Sequence, residues 1–258
     1  MVQVLFFYVK RKKWLRFLVC FLRQFHSMLR NDNISITFSK NYIVSECGSI
    51  CCTVGDFLRS QARRFFMSNF TKDEELIIHK AIDVFGQKDR IEDYSDERKK
   101  HGIHVVACEN HPRQDVTAYA TLGGHQCPTG YTVGGIPLRI EIVGACHEEF
   151  GIYSAILANC IFHMMKSHVS IFPGAIYKDV IAVLDDSFHM QHILLIPPFL
   201  WDNFSTIELS DKKVTFLQAV PISENERAFA LEYGVDSLLS RFDAEQVNVF
   251  NLERRSVV

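Results

Sequence analysis

Between Phe150 and Met165 the chain carries no Asp, Glu, Lys or Arg, reading FGIYSAILANCIFHMM. The run falls short of the roughly 20 apolar residues that a bilayer requires. As a helix it is apolar on nearly all sides, and such a helix belongs in the centre of a domain rather than on its surface. Whatever this chain folds into must therefore wrap other elements around these residues. Glu148 and Glu149 before the run and Lys166 after it have the charges that suit the two ends of a helix.

The wrapping elements are legible from alternation and turn chemistry. IHVVAC and DVTAYATLG read as two strands joined by the turn ENHPRQ. GGHQCPTGYTVGGIP is a Gly/Pro loop. LRIEIVGAC alternates as a strand buried on one face, with either Leu138, Ile140 and Ile142 or Arg139, Glu141 and Val143 turned inward. VIAVLDD, MQHILLIPP, STIELS and KKVTFLQAVPIS follow in quick succession as strands with largely antiparallel pairing. Pro197-Pro198 ends its strand, because neither residue can donate to a ladder. Two capping boxes mark helix starts, Thr71 with Glu74 and Ser223 with Glu226, and Gly86 and Gly234 sit where those helices stop. VDSLLSRFDAE adds a further helix, whereas QKDRIEDYSDERKKHG reads as a charged, solvated connection. The fold class expected is α+β: residues 67–258 form a single domain with a mixed sheet packed by helices.

Charge separates that domain from what precedes it. Residues 1–66 hold 11 Lys/Arg against 3 Asp/Glu, a net of +8, leaving 17 basic and 27 acidic residues and a net of −10 for residues 67–258. The basic part reads as a poorly structured extension, as an amphipathic arm for a membrane or nucleic acid, or as a mis-set start. Arg63-Arg64 stands two codons before Met67 and, if encoded AGG-AGG, would place a ribosome-binding sequence ahead of that methionine. The extension's apolar runs are broken by Lys10–Lys13, Arg16 and Arg23, so no spanning segment is expected. Four cysteines, Cys20, Cys47, Cys51 and Cys52, precede residue 67, and Cys108, Cys127, Cys146 and Cys160 follow it. They form no regular framework and read as reduced thiols of a cytoplasmic protein.

Reactive machinery is hard to assemble from these residues. His101, His104, Cys108 and His111 have metal-like spacing, but the two outer histidines lie beyond the strand's ends and no CxxC supports them. Cys146 and His147 are adjacent on a strand, so they point apart. Glu148-Glu149 and Asp185-Asp186 suit a helix start and a turn better than an acid–base pair. The glycine loop lacks the Gly-Lys-Ser/Thr that grips phosphate, and Val143 stands where a nuclease of the Asp…Glu-x-Lys type would carry lysine. No catalytic residue, metal or cofactor is expected. The acidic surplus disfavours nucleic acid and favours a cationic partner. Asp185, Asp186, Asp202, Glu208, Asp211, Glu224 and Glu226 concentrate in the last third of the chain. Asp185, Asp186, Phe199, Trp201, Asp202 and Glu208 are the expected partner-binding residues, with Trp201 as the buried anchor of the interface. A core position capping the sheet is the other reading of Trp201.

LRIEIVGAC, FPGAIYKDVI, HILLIPPFLWD and VTFLQAVPISENERAFALEYGVDSLLSRFD…FNLERRSVV resemble the suppressor-of-fused (SUFU) domain family over about residues 72–258. The likeness is greatest to bacterial members that serve as immunity proteins for secreted LXG-type toxins. It implies a non-enzymatic binding domain that neutralises a toxin, a basic nuclease, in the producer's cytoplasm. The similarity of NLERRSVV to the family's ending implies that the chain is complete there. Three rival functions are an adaptor accepting a peptide on a sheet edge, a hydrolase with metal at His101–His111, and a membrane-tethered protein using residues 1–66.

Overall fold

A computed structural model of the 258-residue chain describes residues 70–86, 90–96, 102–167 and 171–258, together with the backbone of two short strands near the N-terminus. The chain divides into two units, Met1–Asn69 and Phe70–Val258. In the first, β1 (Ile36–Ser39) pairs antiparallel with β2 (Tyr42–Ser45), two strands in a region expected to be poorly structured. The other expectations for residues 1–66 lie outside the described residues.

The second unit opens with α1 (Lys72–Phe85). Thr71 caps it reciprocally with Glu74, and Gly86 closes it in the left-handed region at φ 84°, so both ends match their sequence signals. The sheet comprises β3 (Arg90–Ser95), β4 (Gly102–Cys108), β5 (Val116–Leu122), β6 (Thr132–Val133), β7 (Ile136–His147), β8 (Ile176–Tyr177), β9 (His192–Ile196), β10 (Ile207–Glu208) and β11 (Lys213–Ile222). Its order is β3-β4-β5-β7-β11-β9-β8, with β6 attached to β7 and β10 to β11. All pairings are antiparallel except β7 with β11, so the sheet is mixed.

The uncharged run becomes α2 (Tyr153–Ser167), which packs on β3, β4, β5 and β7. Tyr153, Ile156, Leu157, Cys160 and Ile161 are fully buried with Ile103, Val105, Ile140, Ile142 and Leu195 in one core cluster. The Tyr153 hydroxyl donates to Ala219 O over Gly144, where a Cβ would come within 2.6 Å of the phenol oxygen. On the other side of the sheet, α1 buries Ile77, Ile78, Ala81 and Phe85 against β4 and β5, and Cys108 Sγ donates to Phe85 O. The chain ends with α3 (Glu224–Tyr233), α4 (Val235–Ala244) and an extended tail.

Four local readings need correction. The charged connection contains β3, an edge strand whose charges find partners: Arg90 Nε donates to Glu92, and Tyr94 and Ser154 donate to the same carboxylate. β7 is buried on both faces from Ile140 to Cys146, not on one, because helices cover the sheet from both sides. VIAVLDD is a series of turns: Asp179 sits at φ 58°, and Ile181 N and Ala182 N both donate to Gln191 O. Glu148 and Glu149 precede α2 by a separate turn, in which Phe150 N donates to His147 O, and so do not occupy its first helical turn.

Candidate partner-binding surface and its buried supports

Trp201 is 7% exposed. Its ring packs with Phe85 and Phe204, at centroid distances of 5.2 and 5.6 Å, and lies nearly parallel to the His111 ring at 6.3 Å between centroids. The indole N–H donates to His111 Nε2 at 2.9 Å. Trp201 thus occupies the core position that was its other reading, with its ring packed on the α1 side of the sheet.

Because His111 Nε2 accepts the indole proton, the fold requires that nitrogen to be unprotonated, and burial lowers the pKa of His111. As pH falls through about 6.5 the unfolded chain takes up this proton before the folded one, so stability contributed at neutral pH is lost. The thermal unfolding midpoint followed by tryptophan emission is expected to drop between pH 7.5 and 5.5. In His111→Gln, whose amide oxygen can accept the indole proton without titrating, the drop should be smaller.

The remaining expected site residues divide into two groups. Phe199 is 53% exposed, and its backbone N–H and that of Leu200 donate to the buried Gln218 side chain. Asp202 is exposed nearby, and Glu208 is bound by Lys213 Nζ at 2.7 Å. Asp185 and Asp186 lie toward the other end of β11. Their turn hangs on Gln191, whose N–H donates to Ile222 O. Nine residue steps of strand separate Lys213 from Ile222, about 30 Å at 3.3 Å per residue. The acidic residues thus fall into two groups at opposite ends of β11 and do not form one cluster. The rest of the wider acidic set is paired: Glu226 is fully buried against Arg254, Glu224 binds Arg227 and His192, and Asp211 lies 3.6 Å from Lys212 Nζ.

The residues considered for chemistry are dispersed. His104 Nδ1 pairs with Asp93, His111 with Trp201, Cys108 is buried, and His101 lies outside the described residues. Among the described residues, no cluster of three metal-ligating side chains forms. Cys146 Sγ donates inward to Phe250 O while His147 Nδ1 faces Asp115 O, so thiol and imidazole do point apart. Burial pushes the Cys127 thiol up to about 11 and raises Cys146 and Cys160 as well, which keeps all three protonated. Cys127, Cys146 and Cys160 are free thiols; the four cysteines before residue 67 lie outside the described residues. No helix among the described residues is long and apolar enough to cross a membrane.

Three buried polar networks escaped the sequence reading. Glu141, at 0% exposure in β7, accepts hydrogen bonds from Thr121 Oγ1 (2.6 Å), Gly123 N, Gly124 N, His125 N and His125 Nδ1. Thr121 Oγ1 in turn accepts from Ile142 N, so the side chain takes over where the β5–β7 ladder stops. The loop TLGGHQC is thus a carboxylate cradle with a single 3₁₀ turn, Gly124–Gln126. A Cβ on Gly124 would meet Ile140 O at 2.1 Å, so glycine is required by close approach. The second network joins Glu226, the acid of the α3 capping box, to Arg254 of the tail through Nη1 at 2.5 Å and Nη2 at 2.7 Å. The third centres on buried His192. Its Nδ1 accepts from Asp179 N and its Nε2 bonds Glu224 Oε2, both at 2.8 Å. Arg227, with His192, holds the Glu224 carboxyl down to about 2.

Glu141, Glu226, Arg254 and His192 serve contacts within the domain. The chain belongs to the suppressor-of-fused family: the model for "Suppressor of fused protein (SUFU)" matches residues 99–255. The chain is 36% identical over 189 residues to "Immunity protein YqcF" of Bacillus subtilis (strain 168), covering 73% of this chain and 98% of that protein. Its fold is shared with a SUFU homologue from Neisseria gonorrhoeae FA 1090, at a TM-score of 0.53 and 15% identity over 72% of this chain and 96% of the other. A chain of the Sufu–Fu complex superposes with a TM-score of 0.52 at 11% identity, covering 71% and 91% of the two chains.

Proposed function

We propose that residues 67–258 are an immunity protein that binds a cognate secreted toxin in the cytoplasm of the producing cell and neutralises it by occlusion. The toxin is of the LXG type and carries a basic nuclease domain. The observation that carries this reading is the 36% identity along 98% of a protein named for immunity. The net charge of −10 suits a partner whose own cleft binds nucleic acid, because carboxylates can complement the basic groups there. Asp185 and Asp186 at one end of β11, and Phe199, Asp202 and Glu208 toward the other, are the two candidate surfaces. Residues 1–66 are not needed for protection.

Co-expression of the toxin encoded beside this gene with residues 67–258 tests the proposal. Cells carrying both are expected to grow as cells without toxin do, and the two proteins should copurify. Growth arrest with both proteins soluble would remove the immunity reading. An adaptor for extended peptides is the second reading, favoured by β3, whose outer edge pairs with no strand among the described residues. Copurification of unrelated proteins sharing a short motif, in place of the toxin, would support it.

A further inference from the structure

We propose that the toxin docks on the flank made by the turns at 178–186, one side of α3 and residues 171–175 before β8, and that this flank fits a cationic protein surface with apolar side chains among its basic ones. The inference rests on the immunity reading and gives it a location.

Four observations place these segments side by side. Asp179 and Glu224 stand at the two nitrogens of the buried His192 ring, which joins the turn to the start of α3. Arg227, bound to Glu224 at 2.6 Å, and Leu231 are four residues apart on α3 and so share its flank. Val235, four residues further on, reaches Gly174, where a Cβ would lie 3.6 Å from Val235 Cγ2. Val183 lies one turn beyond Asp179, its N–H donating to Asp179 O.

The flank combines apolar exposure with negative charge. Val183 is 75% exposed, Leu231 68%, and Phe172 and Leu184 nearly half. Asp179, Asp185, Asp186 and Glu224 outnumber Lys178 and Arg227, and each of those cations is already held by one of these carboxylates. Asp185 is fixed by Ser187, which donates from both N and Oγ. Apolar groups set among carboxylates on a fixed backbone give an interface both a desolvated centre and electrostatic steering. A second exposed apolar group, Tyr131, Val133 and Ile136 on the β6–β7 hairpin, has a different setting: Arg139 and Lys213 stand by its base, and the carboxylate of Glu208 there is bound to Lys213. Phe199 has Asp202 close by in sequence, and among the described residues the nearest exposed large apolar residue along the chain is Leu184, 15 positions earlier.

The test uses the purified toxin domain encoded beside this gene, with the full chain immobilised and association measured at low and high salt. Val183→Ser/Leu231→Ser is expected to weaken binding about tenfold or more, as loss of central interface residues does. Asp185→Lys/Asp186→Lys should slow association by about tenfold at low salt and by less at high salt. All four positions are at the surface, and Asp185→Lys gives up the two Ser187 bonds, so thermal midpoints should stay within a few degrees of wild type and exclude misfolding as the cause. Tyr131→Ser/Ile136→Ser and Phe199→Ser/Asp202→Asn should bind like wild type. Wild-type affinity in the first two variants, with loss in either of the others, would overturn the location and leave immunity standing. Failure of the wild-type chain to bind would overturn both.

Discussion

Replacing Glu141 by alanine is expected to destabilise the domain by about 3–5 kcal/mol, a large share of what a domain of this size possesses. The five hydrogen bonds that end on this carboxylate come from three backbone amides, a hydroxyl and an imidazole, and all would be left facing a dry cavity. Each orphaned buried donor carries its own desolvation penalty. Glu141→Gln separates charge and acceptor capacity from shape and volume. One carboxylate oxygen accepts from three of the donors and the other from two, so whichever way the amide lies, an NH₂ confronts N–H or O–H groups. A loss of about 2–3 kcal/mol is expected for the glutamine variant. Urea titration reads both, as a lower midpoint with an unchanged slope. A midpoint for Glu141→Gln equal to wild type would refute the reading that both oxygens act as acceptors for these five donors.

Arg254→Ala comes second, at about 3–5 kcal/mol, because it leaves Glu226 buried without its counter-ion. The guanidinium also donates to Pro221 O and lies 5.1 Å over the Phe242 ring, so packing is lost along with charge. Lysine should not rescue it: an ammonium cannot reproduce the two parallel bonds to the Glu226 oxygens. The Ser223 N and Val257 N bonds to Glu226 remain, which holds the loss below that of a fully isolated carboxylate. Equilibrium unfolding of Arg254→Ala and Arg254→Lys checks both statements. If lysine restored the midpoint, the fork geometry would be irrelevant.

Binding and stability are expected to separate in these experiments. Val183 and Leu231 touch water and should govern partner affinity, whereas Glu141 and Arg254 touch nothing outside the chain and should govern folding. In the proposed immunity role, a partner-binding variant that keeps its midpoint but loses protection identifies the surface. A cradle variant would lose protection only by unfolding.

What the sequence determined by itself was set by terms acting over a few residues. The helix from Lys72 to Phe85 was readable because its capping box and its closing glycine lie within one turn of its ends. The same holds for Ser223, Glu226 and Gly234. The placement of α2 in the core followed from its composition alone, since a helix without a polar face has nowhere else to go. The acidic excess was a count.

Tertiary structure alone decided which face each residue served. Glu141 gathers donors 16 to 20 residues away, and Trp201 finds its acceptor 90 residues away at His111. No local periodicity encodes either pairing. The turns at 178–186 have the apolar content of a strand, yet two amides there are drawn to Gln191, which leaves Val183 in solvent. Local propensity costs little to override, whereas a buried carboxylate or amide without a partner costs a great deal. Where the two conflicted, the long-range hydrogen bond set the outcome, and that is why the sites lay beyond the reach of sequence.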